Sequence, residues 1–118
     1  MFFVKIRNTL HPAAIVGKVS DKDWDNRESK SITLEMDYAT AAATFTDGVK
    51  WSIIQQDVMP AYDNNGVQSG TKTQETEFDN SDYTIAGDII DHRDGRVTVK
   101  MGRLTPLEEA YEIMLGGM

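Results

Sequence analysis

Ile32, Leu34 and Met36 alternate without interruption with Thr33, Glu35 and Asp37. A period of two places alternate side chains on opposite faces of an extended backbone, so residues 31–37 read as a strand with one buried face. The same period recurs at Phe2, Val4 and Ile6, at Val49, Trp51 and Ile53, at Tyr83, Ile85 and Ile89, and at Val97, Val99 and Met101. A chain of 118 residues holding this many half-buried strands has room for one core and must assemble it around a sheet. Strand-to-strand connections are short and turn-like, which favours antiparallel pairing.

The period changes at two places. Tyr38, Ala41, Ala42 and Phe45 fall at i, i+3, i+4 and i+7, a helical stripe. Asp37 reads as its N-cap and Asp47-Gly48 as its stop. Near the C-terminus, Thr105-Pro106-Leu107-Glu108 sets Thr at N-cap, Pro at N1 and Glu at N3, a capping box with a proline start. Leu107, Ala110, Tyr111, Met114 and Leu115 form the stripe that follows, and Gly116-Gly117 reads as its end. The predicted fold class is α+β. It comprises a mainly antiparallel curved sheet or partly open barrel of about six to seven strands, with short helices at about 38–46 and 106–115. A single domain spans 1–118.

The connections add detail. Residues 8–12 read as a turn, followed by a strand over 13–20 with Ile15 and Val19 on one face. Residues 21–30 (DKDWDNRESK) read as a polar loop. Pro60 ends the strand that runs from Val49 toward Val58, because proline cannot donate to a ladder. Residues 62–70 read as a loop around the turn signal Asn65-Gly66. Residues 71–78 are rich in Thr and poor in apolar side chains. As a strand they fit a sheet edge or the outer half of a projecting hairpin arm at about 57–79. At Arg93-Asp94-Gly95-Arg96, register chooses the turn. A three-residue loop with Gly95 left-handed sets Ile89 opposite Val99 and Gly87 opposite Met101 and keeps the apolar faces together; a two-residue loop scrambles them.

Composition narrows function. With no cysteine, disulfides, thiolate zinc sites and cysteine nucleophiles are excluded. Two histidines are too few for an all-histidine catalytic zinc site. A net charge of −7 opposes sequence-independent binding to nucleic acid and docking on anionic lipid. No apolar run approaches the roughly 20 residues that span a bilayer, and the first residues read as a strand instead of a signal peptide. These features predict no nucleic-acid partner, no membrane embedding and a cytoplasmic site of synthesis and assembly.

No motif carries chemistry. Asp21, Asp23 and Asp25 resemble the start of a calcium loop, but Asn26 and Ile32 stand where such a loop needs Gly and Glu. The stretch reads as a solvated acidic loop. His92-Arg93-Asp94 matches three letters of a kinase catalytic loop in a chain far too short for a kinase, and overlies the predicted hairpin tip. No serine sits in a nucleophile elbow, and neither His11 nor His92 has an evident orienting carboxylate. No catalytic, metal-ligating or cofactor-binding residue is predicted. Trp51, in phase with Val49 and Ile53, reads as core. Trp24 either caps the core edge or anchors an interface. Tyr62 in its loop, and Tyr111 and Met114 on the terminal helix, are the other candidate interaction residues.

The segments SDKDWDNRESKSITLEMDYATAAATFTDGVKWSI and DNSDYTIAGDIIDHRDGRVTVKMGRLTPLEEAYEIMLGG resemble short uncharacterised proteins encoded in phages and prophages of Gram-positive gut bacteria, in the virion structural or tail gene region. The resemblance covers nearly the whole chain and implies a non-enzymatic structural or tail-associated protein. It would be found in the host cytoplasm during assembly and then in the virion. Its partners would be other phage structural proteins or further copies of itself. The alternatives are a carbohydrate- or ligand-binding module using Trp24 and Tyr62 as stacking platforms, and a small enzyme using clustered carboxylates.

Overall fold

A computed structural model describes residues 1–116. The elements follow in the order β1 (Phe2–Ile6), β2 (Thr9–Asp21), β3 (Arg27–Glu35), α1 (Tyr38–Thr44), β4 (Ser52–Tyr62), β5 (Gln68–Asp79), β6 (Ile85–Asp91), β7 (Arg96–Gly102) and α2 (Pro106–Gly116). The strands form one antiparallel sheet in the order β5-β4-β1-β2-β3-β7-β6. The sheet is open, with β5 and β6 as its edges, so the curved-sheet expectation holds and closure into a barrel does not occur.

Register explains the core. Val4 lies beside His11 and Ile53, Ile15 beside Ile32, Ile32 beside Val99, and Leu34 beside Val97. Direct partners share a face, so one face of the sheet carries Val4, Ile6, Ile32, Leu34, Ile53, Val97, Val99 and Met101, all buried. Ala41 of α1 and its C-cap Phe45, with Trp51 and Tyr83, pack on that face. The Trp51 indole N–H donates to the Tyr83 carbonyl at 3.1 Å, and the two rings meet edge to face. That bond satisfies the one polar group the tryptophan buries. Asp37 caps α1 as expected, accepting from the Thr40 N–H at 2.6 Å. Tyr38 and Ala42, read into the same stripe, are exposed: a helix of two turns presents only one residue per turn to a sheet.

Several boundaries differ from the sequence reading. The first turn is just Arg7-Asn8, both with positive φ, so His11 and Pro12 belong to β2. Pro12 pairs with Phe3 immediately before β2 changes partner from β1 to β3, a place where a ladder bond is dispensable. Val19 is exposed, because the β2–β3 register shifts between Lys18 and Asp21. Residues 27–30, read as loop, start β3, with Arg27 and Ser29 buried. β4 begins at Ser52, so Val49 and Trp51 precede it although both were read into the strand, and it does not stop at Pro60 but continues to Tyr62. The Gln56 N–H points to the β1 side, donating to the Met1 carbonyl. Pro60, four residues further, points the same way, where β1 no longer extends, so its missing donor costs nothing.

The β6–β7 turn is the three-residue loop, with Gly95 at φ +89° and Ile89 opposite Val99. The expected Gly87–Met101 pair does not form. A bulge between Ala86 and Ile89 sets Ala86 opposite Met101 instead. The helix at the C-terminus begins with the predicted capping box. The Thr105 N–H donates to Glu108 Oε1 at 2.8 Å, and the Glu108 N–H donates to Thr105 Oγ1 at 3.2 Å. Helix continues through Gly116, and the predicted stop at Gly117 lies outside the described residues.

The molecule is elongated. Its radius of gyration is 18.1 Å over axes of 64 × 39 × 26 Å. A compact chain of this length would have about 13.5 Å. The excess comes from what projects beyond the core, and those projections are also its least buried parts.

Candidate functional site

The first projection is the β4–β5 hairpin. β1 pairs with β4 only as far as Gln55, whereas β4 and β5 continue together to Tyr62 and Gln68. Past Gln56 the arm is a two-stranded ribbon running about 20 Å from the sheet. All of β5 is exposed. The turn that ends the arm is well specified. Asp63 Oδ1 accepts from the N–H groups of Asn65 and Val67 at 2.9 and 3.0 Å, and Gly66 takes φ +76°. Alternation along β4 puts Val58, Pro60 and Tyr62 on one face of the ribbon, with Thr71 and Thr73 beside them on β5. Tyr62, a predicted interaction residue, stands at the tip and is 64% exposed.

The second projection is α2. Its first turn is fixed by Arg27, a residue the sequence reading left in a loop. Arg27 lies buried against Gly102 and Trp24, donates from Nη1 to the Arg103 carbonyl, and grips Glu108 with both terminal nitrogens at 2.9 and 3.2 Å. The Arg27 hydrogen bonds, and then the Thr105 N–H, push the Glu108 carboxyl down to about 2. Beyond that turn, among the described residues, the helix makes no extensive contact with another element. Leu107, Tyr111, Ile113, Met114 and Leu115 are all exposed. Of these, Leu107, Tyr111, Met114 and Leu115 align at i, i+4, i+7 and i+8 as a single stripe. Tyr111 and Met114 are therefore accessible, as an interaction role requires. Leu107 and Leu115, members of the same predicted stripe, belong to the same exposed surface.

Trp24 occupies neither of the two settings expected of it in pure form. Its ring is partly buried, laid over Gly87 of β6 and Gly102 of β7. A Cβ on Gly102 would stand 2.8 Å from the ring, and on Gly87 also 2.8 Å. The Arg27 guanidinium stacks 4.9 Å from the ring centre and Lys100 approaches at 5.8 Å. The acidic loop beneath it is not merely solvated, as the sequence suggested. Asp21 is buried, accepts from Lys100 Nζ at 2.7 Å and from Ser29 Oγ at 3.3 Å, and its carboxyl is held below the ordinary range chiefly by the Lys100 bond. The signal for this cluster was present: two glycines inside strand-period segments mark close approach of another group, and a lone Trp in a charged loop is a suitable group to approach. A recess of about 340 Å³ remains beside the ring, lined by Asp23, Asp88 and Lys100.

Trp24 lies by the β6–β7 end of the sheet and Tyr62 at the tip of the opposite edge hairpin. The two aromatics are not brought together. His11 lies in β2, and His92 at the β6–β7 tip bonds Thr98 Oγ1 at 2.7 Å. Among the described residues, no three His, Asp or Glu side chains converge as metal ligands. Every carboxyl that is displaced from its ordinary range, namely Asp21, Asp37, Asp79, Asp94 and Glu108, is displaced downward by hydrogen bonds to neighbouring groups.

A second concavity lies where β2 changes partners. It measures about 530 Å³ and its lining includes Phe2, His11, Pro12, Ala13, Ala14, Leu34, Glu35 and Arg96, of which Arg96 is ion-paired with Asp94 at 2.7 Å. None of these residues was named as a candidate site residue from the sequence, because the groove exists only through the offset of β1 and β3 on either side of β2. Comparison with protein-family models, with curated proteins and with solved structures finds no match.

Proposed function

We propose that this protein is a non-enzymatic structural component that acts through protein–protein contacts, as a tail-associated part of a phage or prophage particle. The observation that carries the reading is the β4–β5 arm. A two-stranded ribbon with no third strand is marginal in water on its own, and an edge strand of twelve exposed residues is an open template for pairing. An arm of this kind gains its stability when a neighbouring subunit supplies a further strand or covers the Val58, Pro60 and Tyr62 face. The net charge of −7 keeps the free chain soluble until then.

The test is a shortened arm. Residues 57–74 are replaced by a two-residue Asn-Gly turn joining Gln56 to Glu75, which keeps the register of the remaining ladder, and the variant is produced together with the structural proteins encoded beside it. The expected result is a folded core, shown by retained dispersion of the Val97 and Val99 methyl signals, with loss of the chain from assembled particles. Incorporation at the wild-type level would overturn the reading. Wild-type particles that never contain the chain would overturn it as well.

A further inference from the structure

We propose that Lys30 and Asn80 join to each other in the folded chain, the lysine amine being acylated by the asparagine side chain to give an intramolecular isopeptide bond. The reaction happens once per molecule and consumes no external substrate. It needs no partner, so it holds or fails apart from the particle reading.

The geometry is that of two reactants held together. Lys30 lies on the core face of β3, opposite the buried Met101 of β7. Its Nζ stands 4.6 Å from the centre of the Tyr83 ring and donates to Asn80 Oδ1. Among the described residues Lys30 forms no ion pair. Asn80, directly after β5, is 2% exposed. Its position is fixed on three sides. The Asn80 N–H donates to the Trp51 carbonyl at 2.9 Å, the Asn80 carbonyl accepts from the Tyr83 N–H at 3.0 Å, and Nδ2 donates to the Phe78 carbonyl at 2.9 Å. The last bond orients the side-chain amide, with its oxygen toward the amine and its nitrogen away from it. The carbonyl carbon is the next atom beyond that oxygen, so a small rotation at the end of the lysine chain brings Nζ over it, a near-attack arrangement.

The surroundings favour this reaction over its competitors. Burial lowers the Lys30 pKa below that of an ordinary lysine; the Glu28 charge opposes the shift and the Arg103 charge adds to it. The neutral amine, which is the nucleophile, is therefore more available than on an exposed lysine. Water is kept from the buried Asn80 amide, so hydrolysis is suppressed. The Ser81 N–H, the backbone group that could attack the same carbon, is held by Asp79 Oδ1 at 2.9 Å. In the reaction the Nζ–Cγ bond forms and the Cγ–Nδ2 bond breaks. The lysine ammonium gives up two protons and the departing nitrogen takes up two, leaving a secondary amide and an ammonium ion. Glu28, on the same face of β3 as Lys30 and held by Arg103 at 2.9 Å, is the carboxylate that carries those protons. The bond joins residues 50 apart in the chain. It ties the base of the β4–β5 arm directly to β3, bypassing the β1–β4 and β1–β2 ladders, each only four residue pairs long. Load on the arm would then pass through a covalent link instead of through those short ladders.

The experiment is the intact mass of the full chain, measured in denaturant after incubation in the folded state. The wild type is expected to be lighter than its sequence by the mass of an ammonia molecule. A tryptic digest should contain a branched peptide in which Lys30 is uncut and joined to Asn80. Lys30→Arg keeps the positive charge but offers no amine to acylate, and Asn80→Ser removes the acyl group. Both should keep the full sequence mass, with the Val97 and Val99 methyl shifts as the folding control; should either fail to fold, the other supplies the comparison. Glu28→Gln should form the bond at least about tenfold more slowly, with Glu28→Asp recovering part of the rate. A folded wild type that keeps its full sequence mass overturns the inference. So does an ammonia loss that persists in Lys30→Arg, or one without the branched peptide, which marks cyclisation of an asparagine elsewhere, as at Asn65-Gly66. A folded Glu28→Gln chain that forms the bond at the wild-type rate overturns the role given to Glu28.

Discussion

Gly102→Ala tests whether Trp24 is held by the sheet beneath it or merely lies near it. The added methyl would stand 2.7 Å from Arg27 Cδ and 2.8 and 2.9 Å from two ring carbons of Trp24. Carbon atoms do not approach so closely, so both side chains must shift. Overpacking of this kind costs about 1–3 kcal/mol. Replacing glycine also stiffens the unfolded chain and returns about 0.4–1 kcal/mol. The φ of Gly102 lies outside the left-handed region, so no backbone strain is added. The net loss is about 1–2 kcal/mol. With an unfolding entropy near 2.1 cal/mol/K per residue, the 118-residue chain loses about 4 °C in Tm per kcal/mol, which gives a drop of about 4–8 °C. Thermal melts followed by circular dichroism read it directly. The decisive measurement repeats the substitution in a Trp24→Ala background. Two of the three clashes are then gone, and the penalty should shrink by at least about 0.5 kcal/mol, as expected of coupled neighbours. An equal penalty in both backgrounds, or none in either, would refute the packing argument.

Two further outcomes follow from the local geometry. The Glu108 carboxyl is depressed from 4.5 to about 2 when folded, so its contribution is complete above about pH 4.5 and is lost as pH falls toward 2. The indole N–H resonance of Trp24, which stacks on Arg27, should shift over that acid window, and the Glu108→Gln variant should show no such transition. Asp37→Ala removes the side-chain acceptor at the start of α1 and should cost about 0.5–2 kcal/mol, measured by urea denaturation; Asp37→Asn should recover most of that loss.

What could be read from the chain was what neighbours in sequence decide. The caps at Asp37 and at Thr105 with Glu108, the left-handed Gly95 and the core position of Trp51 all rest on contacts within a few residues or on simple alternation, and each forms as expected. What could not be read was decided by pairing across the sheet. Pro60 is a strand breaker by its own chemistry, yet it is harmless here because β1 ends before reaching it. Arg27 and Ser29 read as loop residues because nothing nearby shows that β7 lies alongside them. Trp24 depended on two glycines some sixty to eighty residues away. The candidate interaction residues Tyr62, Tyr111 and Met114 could be named from their elements. The groove could not, since no single segment contains it.

The arm and the terminal helix share one energetic property, and it leads to a prediction that separates assembly from folding. Both are specified locally in detail, the arm by the Asp63 turn and the helix by its capping box, yet neither buries an apolar face within the chain. Local bonds of this kind cannot supply the stability that burial supplies. What they do is narrow the conformations a segment must give up when it meets a surface, which lowers the ordering cost of binding. Thr105→Ala removes the acceptor for the Glu108 N–H and should cost about 1 kcal/mol of helix stability. Because the apolar stripe of α2 is exposed and the tie of the helix to the sheet runs through the Arg27–Glu108 pair, which this substitution leaves in place, the core should register little of that loss, and the denaturation midpoint should move by less than about 0.5 kcal/mol equivalent. Association with a protein partner that takes up the ordered helix should weaken about fivefold. A variant that unfolds earlier by the full cap energy but associates normally would show that α2 belongs to the folded core instead of to the contact it is proposed to make.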